Sequence, residues 1–404
     1  MRRWHTASVT RETKYGGTAL ILAGIVVLAI NLRPAAISVG PVLSEIQSGL
    51  QMSAGTAGLL TTLPVVAFAV FGALAPRLAH SLGLHRTSLL GLLLVASGLI
   101  GRSFVDSPAT FLALSVVGLS GMATANVLLP ALIKLHFPDR VGPLTSIYTT
   151  AMALGLTAAS MLTVPIAQMS GSWRWGLMAW GVVAAVAALP WLGLIGHDRA
   201  LNVDETPISL GQIARTRLGW AMAVAFGLQS TQAYIIFGWL PEVYRDAGFS
   251  AGVAGVLLGV ATGISIPLSM WLPTFASRTS NQARMFVCLI GCYAVGYVGL
   301  MLAPATTPWL WAMTIGSGAS VFPVVLTLIS LRARTAAGTR ALSGFTQSVG
   351  YLIAAPGPWL FGALHGWSGG WQVSLLAMLV VLGPLTAVLL MLSRPAYVED
   401  QLRV

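Results

Sequence analysis

Charge is what this chain has least of. Only 8% of its 404 residues are Asp, Glu, Lys or Arg, whereas 56% are hydrophobic, a balance outside that of soluble globular domains. Acids are scarcer still, 11 against 22 Lys and Arg. The two cysteines, Cys288 and Cys292, cannot form a disulfide framework; four apart in one apolar run, they read as small packing residues. The six histidines are scattered without metal-ligand spacing, no Gly-rich phosphate loop of the Walker type occurs, and no Ser, His and Asp share one depth of the apolar segments. These absences argue against a metal site, direct nucleotide hydrolysis and an intramembrane hydrolase, so neither an enzyme nor a cofactor is expected. Nor is there a polar stretch long enough for a nucleic-acid groove, so the net charge of +11 carries no nucleic-acid reading.

What the chain has instead is a series of apolar runs about 20 residues long, the length a helix needs to cross roughly 30 Å of hydrocarbon. Mean hydropathy is +0.82. Breaks at polar, Gly and Pro clusters give twelve expected spans at 17–46, 54–79, 86–104, 109–136, 140–168, 174–196, 216–245, 251–277, 284–303, 308–332, 338–366 and 371–394. Arg2, Arg3, Arg11 and Lys14 precede the first run and no small-residue cleavage site follows it, so it reads as an uncleaved first helix. With both termini in the cytoplasm, every Lys and Arg except Arg33, Arg102, Arg174 and Arg245 falls in a terminal tail or an inner loop. That asymmetry is the positive-inside pattern of a multi-pass protein of the cell membrane.

The two halves of the chain repeat each other. "LSEIQSGLQMSAGTAG", from Leu43, aligns without a gap to "LPEVYRDAGFSAGVAG", from Leu240, pairing Glu45 with Glu242 and Ser53 with Ser250; "SGSWRW", from Ser170, resembles "SGGWQV", from Ser368. Six spans separate the copies, so both halves enter the membrane in the same direction. The expected fold is therefore all-α, twelve transmembrane helices in two parallel six-helix repeats, the major facilitator arrangement rather than an inverted-repeat one. Residues 1–196 form the N-terminal half and 216–404 the C-terminal half, with 197–215, the least apolar stretch, as a cytoplasmic linker.

Against this background "NLRPAAISVGP", Asn31 to Pro41, stands out. Arg33 falls near the middle of the first span, where a lipid-facing Arg costs at least ~2.5–3.5 kcal/mol; it is expected to face a cavity. Pro34 cannot donate to the Ile30 carbonyl, nor Pro41 to that of Ile37, so the helix should bend where the charge sits. None of the acidic residues falls mid-span to pair with Arg33, and a guanidinium without an acid suits a small planar or carboxylate-like anion. The alternative is a structural Arg33 bonded to freed carbonyls. Other mid-span polar residues are candidates for the same cavity: Asn31, Asn126, Tyr148, Gln229, Gln232 and Gln347, each equally able to bridge helices. Asn31 suits holding Arg33 or the freed backbone. Glu45 and Glu242, near the outer ends of spans 1 and 7, are the best carboxylates for ion coupling, with an outer-rim role as the alternative.

Several stretches, "NLRPAAISVGPVL", "GLLTTLPVVAFAVFGALAPRLA", "ANVLLPALIKLHFPDRVG", "FGLQSTQAYIIFGWLP" and "LSGFTQSVGYLIAAPGPWLFGALH", resemble the cyanate permease and 2-nitroimidazole transporter family of the major facilitator superfamily. The likeness runs over nearly the whole chain. It departs from the superfamily's loop signature after helix 2, where Gly72 and Arg77 remain but Pro76 replaces the Asp, and at Leu135 and His136 after Lys134. The resemblance implies a transporter of small solutes, taking up anions such as cyanate or moving nitroimidazole-like compounds. The expectation is a secondary transporter, monomeric in the lipid bilayer, that moves a small anionic or planar polar solute by alternating access with Arg33 as charge anchor. Uniport, exchange and proton symport stay open. The alternatives are efflux of neutral or weakly basic aromatic compounds with Arg33 structural and, more remotely, a membrane receptor or intramembrane enzyme.

Overall fold

A computed structural model describes residues 19–137, 140–195 and 208–402. The basic residues ahead of the first span, and residues 197–207 of the expected linker, lie outside these. Within them, apolar sequence has become helix throughout. Span 1 runs over Ala19–Leu50 in pieces: 19–30, a turn at 31–33, Pro34–Ile37, the 3-10 turn Gly40–Val42 and Leu43–Leu50. Spans 2 to 6 are Ala54–Leu82, Leu84–Arg102, Pro108–His136, Val141–Met169 and Trp173–Leu192. After a helical turn at Leu210–Ile213 with a Ser209–Gln212 capping box, span 7 is Arg217–Asp246. Spans 8 to 12 are Ala251–Gly263 with Ser265–Arg278, Ala283–Leu302, Pro308–Ala319 with Val321–Leu331, Ala336–Ala354 with Pro356–Ser368, and Trp371–Leu392.

The internal repeat governs local detail as well as span order. Ser53 and Ser250, aligned in sequence, are both N-caps whose side chains accept the backbone N–H of the third residue on. Where span 7 ends in a left-handed Gly248, the aligned Gln51 takes the same region at φ 53°, beyond the end of span 1. Gly171 and Gly369 form a second such pair, φ 72° and 69°, before spans 6 and 12. The same turn is thus used at equivalent points of both repeats, once with a glutamine.

Ten of the spans among the described residues are long and apolar enough to cross a membrane. Spans 7 and 11 do not stand among them, because they carry the polar groups that face inward. Between the repeats, span 1 packs on span 7, span 2 on span 11, and span 5 on span 8. Span 8 turns Gly255, Gly259 and Gly263 toward Ser160, Met161 and Thr157 of span 5, the close packing that small residues allow. Gly40 lies so near the Phe237 carbonyl of span 7 that a Cβ would collide with it. The repeats are therefore in tight contact at the end of the bundle remote from the N-terminus.

Candidate solute site

The break in span 1 is built from its own sequence. Asn31 N–H reaches back three residues, to Leu28 at 3.0 Å, and Leu32 likewise to Ala29 at 3.1 Å. The Val27 carbonyl, skipped by this tightening, accepts the Asn31 side-chain amide at 2.7 Å. Pro34 has no N–H to give Ile30, and Gly155 of span 5 lies directly against the Ile30 carbonyl, where a Cβ would collide. Asn31 therefore serves the freed backbone and does not hold Arg33. Arg33 leaves the helix as N-cap of Pro34–Ile37, with φ −120° and ψ −31°.

Its side chain ends in a cage of rings. Arg33 is 7% exposed. Its Nη1 donates to the Tyr234 hydroxyl at 3.3 Å, and Tyr351 lies within electrostatic reach of both. The guanidinium carbon stands 5.5 Å from the ring centre of Phe68 and 6.0 Å from that of Phe322, within cation–π range. Phe68 and Tyr351 stack at 4.9 Å and 18°, and Tyr234 meets Tyr351 edge-on at 6.2 Å. The cage draws on spans 1 and 2 of one repeat and spans 7, 10 and 11 of the other. No carboxylate lies within ion-pair distance of Arg33 among the described residues. A void next to Tyr234, lined in part by Ala36, Gly40 and Thr61, holds about 10 Å³, room for one water at most.

Of the other candidates, Tyr148 of span 5 is within electrostatic reach of Arg33. Gln229 and Gln232 are not in the cage. Gln229 donates to the Tyr293 hydroxyl at 3.0 Å and to the Ala319 carbonyl at 3.2 Å, an acceptor that Pro323 cannot serve. Gln232 donates to the Met378 carbonyl at 3.0 Å and accepts from the Tyr297 hydroxyl at 2.7 Å. At ~100° per residue, Tyr234 lies about 200° around span 7 from Gln232; the face carrying Tyr234 meets the other repeat, and the glutamines bind spans 9, 10 and 12. Gln347 donates to Ser343 on its own helix at 2.9 Å. Asn126 is half-buried on span 4. None of these four hydrogen-bonds to Arg33.

The repeat-related carboxylates meet at the end of the bundle remote from the N-terminus. Arg245 Nη1 lies 2.9 Å from Glu45 Oε2 and 3.6 Å from Glu242 Oε1, and the Ser44 hydroxyl donates to Glu242 Oε2 at 2.7 Å. Two carboxylates thus share one guanidinium across the repeats. Beside them Asp246 accepts the Trp371 indole N–H at 2.7 Å, with His365 stacked on that indole.

Sequence reasoning missed Tyr234, Tyr351, Phe68 and Phe322, and also a second buried guanidinium. Arg102, at the end of span 3, is 1% exposed. It donates to the Ser115 hydroxyl at 3.2 Å and to the Ala35 carbonyl, just past the break, at 3.5 Å, and lies over Phe111. In the sequence its position near a span end reads as that of a loop residue. Tyr351 was findable, four residues after Gln347 on a span of low hydropathy; Phe68 and Phe322 carry no signal in an apolar sequence.

A family model described as Major Facilitator Superfamily matches residues 19–358. The chain is 34% identical to the 2-nitroimidazole transporter of Escherichia coli (strain K12) over 364 residues, covering 90% of this chain and 92% of that protein. To the Cyanate transport protein CynX of the same organism it is 28% identical over 352 residues, 87% and 91% of the two chains. A crystal structure of a bacterial homolog of the human lysosomal transporter Spinster, inward-facing and unoccupied, superposes with a TM-score of 0.73 at 14% identity, covering 95% of this chain and 98% of that one.

Proposed function

This chain belongs to the Major Facilitator Superfamily, and from that premise we propose that it moves a small anionic or planar polar solute across the cell membrane by alternating access, with Arg33 as the charge anchor. The observation that carries the reading is a buried guanidinium whose partners among the described residues are all neutral. A cation removed from water is stable only when paired or hydrogen-bonded, and phenols and ring faces answer part of that need while an anion answers the rest. Arg33 sits where both repeats meet, so a solute bound there would be exposed to one side or the other as the repeats rock against each other. Relatives named for cyanate, a small anion, and for 2-nitroimidazole, a planar azole, fit the same chemistry. In this reading Tyr148 and Tyr234 orient the solute, and both termini face the cytoplasm.

Flux in liposomes tests it. Arg33→Gln should lower uptake about tenfold or more, the loss of a hydrogen bond to a charged group, and Arg33→Lys should retain part of it because the charge stays while the fork is lost. Equal flux by parent and both variants overturns the anchor. A second reading, efflux of neutral aromatic compounds with Arg33 structural, is favoured by the hydroxyl that Arg33 already holds; in that case neutral aromatic flux survives Arg33→Gln.

A further inference from the structure

We infer that the Arg33 cage selects a planar, π-delocalised monoanion, an aryl carboxylate or azolate, over saturated carboxylates and compact oxyanions of equal or higher charge. The inference rests on the anion-anchor reading and adds the chemical class. The guanidinium is a planar, weakly hydrated cation held at 5.5 Å and 6.0 Å from two phenylalanine ring centres. Three phenols, Tyr148, Tyr234 and Tyr351, stand within electrostatic reach of it, and Tyr234, at 3.3 Å, ties Arg33 across the repeats.

A solute that takes the Nη1 position must part that contact. It then takes the place of the Tyr234 hydroxyl at the guanidinium. The donors offered are those of one guanidinium and three phenols; ring faces and edges make up much of the rest. A sulfate or phosphate carries its charge on several strongly hydrated oxygens and would leave most of them without donors, which is costly in a buried site. A saturated carboxylate satisfies the guanidinium but sets a puckered ring or a flexible chain against flat rings. An aromatic anion does both: its carboxylate meets the guanidinium fork, and its ring stacks on Phe68 or Phe322, covering the faces that open when the repeats part.

The test uses the full chain in lipid nanodiscs and three probes, benzoate, cyclohexanecarboxylate and benzamide, with affinity read from the rise in thermal stability against concentration. The parent should bind benzoate about tenfold more tightly than cyclohexanecarboxylate, a stacking-sized preference, and more tightly than benzamide. Phe68→Leu and Phe322→Leu should bring the two carboxylates close together, while Phe68→Tyr, which restores a ring, should keep them apart and guards against misfolding as the cause. Arg33→Gln should abolish binding of both acids. Equal affinity for the two acids, both lost in Arg33→Gln, overturns the aromatic class and leaves the anion anchor standing. Benzoate binding unchanged in Arg33→Gln, or benzamide binding as well as benzoate, overturns both. No binding of any probe overturns the aromatic class.

Discussion

Among the described residues the two repeats meet through charge at two places, and the two are built on opposite terms. At the cage, one guanidinium is buried among neutral rings with no acid. At the far end, one guanidinium is shared by two acids, Glu45 and Glu242, and its side chain keeps 23% of its exposure. The clasp is self-sufficient: its charges meet each other whether or not a solute is present. The cage is short of an anion. A contact that completes itself can hold two bodies closed, whereas one that lacks a partner can be exchanged for a solute.

The comparison breaks most visibly at Arg33. Arg33→Gln is expected to remove flux with little loss of unliganded thermal stability, because the residue removed is a buried cation without an acid. A large fall in stability with flux intact would make Arg33 a structural residue like those of the clasp. Next comes the helix break that presents it. Gly155→Val sets a branched side chain against the Ile30 carbonyl, and overpacking of this kind costs about 1–3 kcal/mol; reduced melting temperature together with loss of Arg33-dependent binding is the expected pair of readings, and normal binding would separate the break from the site.

The clasp should respond the other way. Arg245→Gln strands two carboxylates and is expected to destabilise by about 1 kcal/mol, while Glu242→Gln removes a like charge and stays within ~0.5 kcal/mol. Denaturation of the two variants side by side checks the order; a loss in Glu242→Gln as large as that in Arg245→Gln would mean that Glu242 is not one of two acids on a shared guanidinium. The smallest effect lies past span 12. Partial burial pushes the Glu399 carboxyl up, but the backbone N–H groups of Arg334 and Thr335 and the Thr335 hydroxyl outweigh it and hold the group below its ordinary value. Its stabilisation is therefore complete above the unfolded value near ~4.3 and fades as pH falls through the lower folded one. Glu399→Gln should flatten the stability profile below about pH 4, an effect of a few tenths of a kcal/mol at this exposed site.

How much of this was legible depends on which force decides each feature. Ten of the twelve spans follow from apolar length alone, and the ends of all twelve moved by only a few residues. The kink at Arg33 follows from Pro34, a local covalent fact. The breaks in spans 8, 10 and 11 lie one to three residues before Pro267, Pro323 and Pro356 and have the same origin. Gln229 and Gln232 were harder: their depth is readable but not the direction of their helix face, and the Tyr234 face of span 7 meets the other repeat. Glu45 and Glu242 could be paired by the repeat, yet their shared partner Arg245 required both helices to end side by side.

What the amino-acid sequence determined by itself is the membrane, the twelve helices, the duplication and the presence of one mid-span charge without an acid, because hydropathy, length and proline act along a single helix. What only the tertiary structure decided is the company Arg33 keeps. Phe68, Tyr234, Phe322 and Tyr351 come from four other spans, and an aromatic ring in an apolar run has no mark of its own until packing turns it toward a cation.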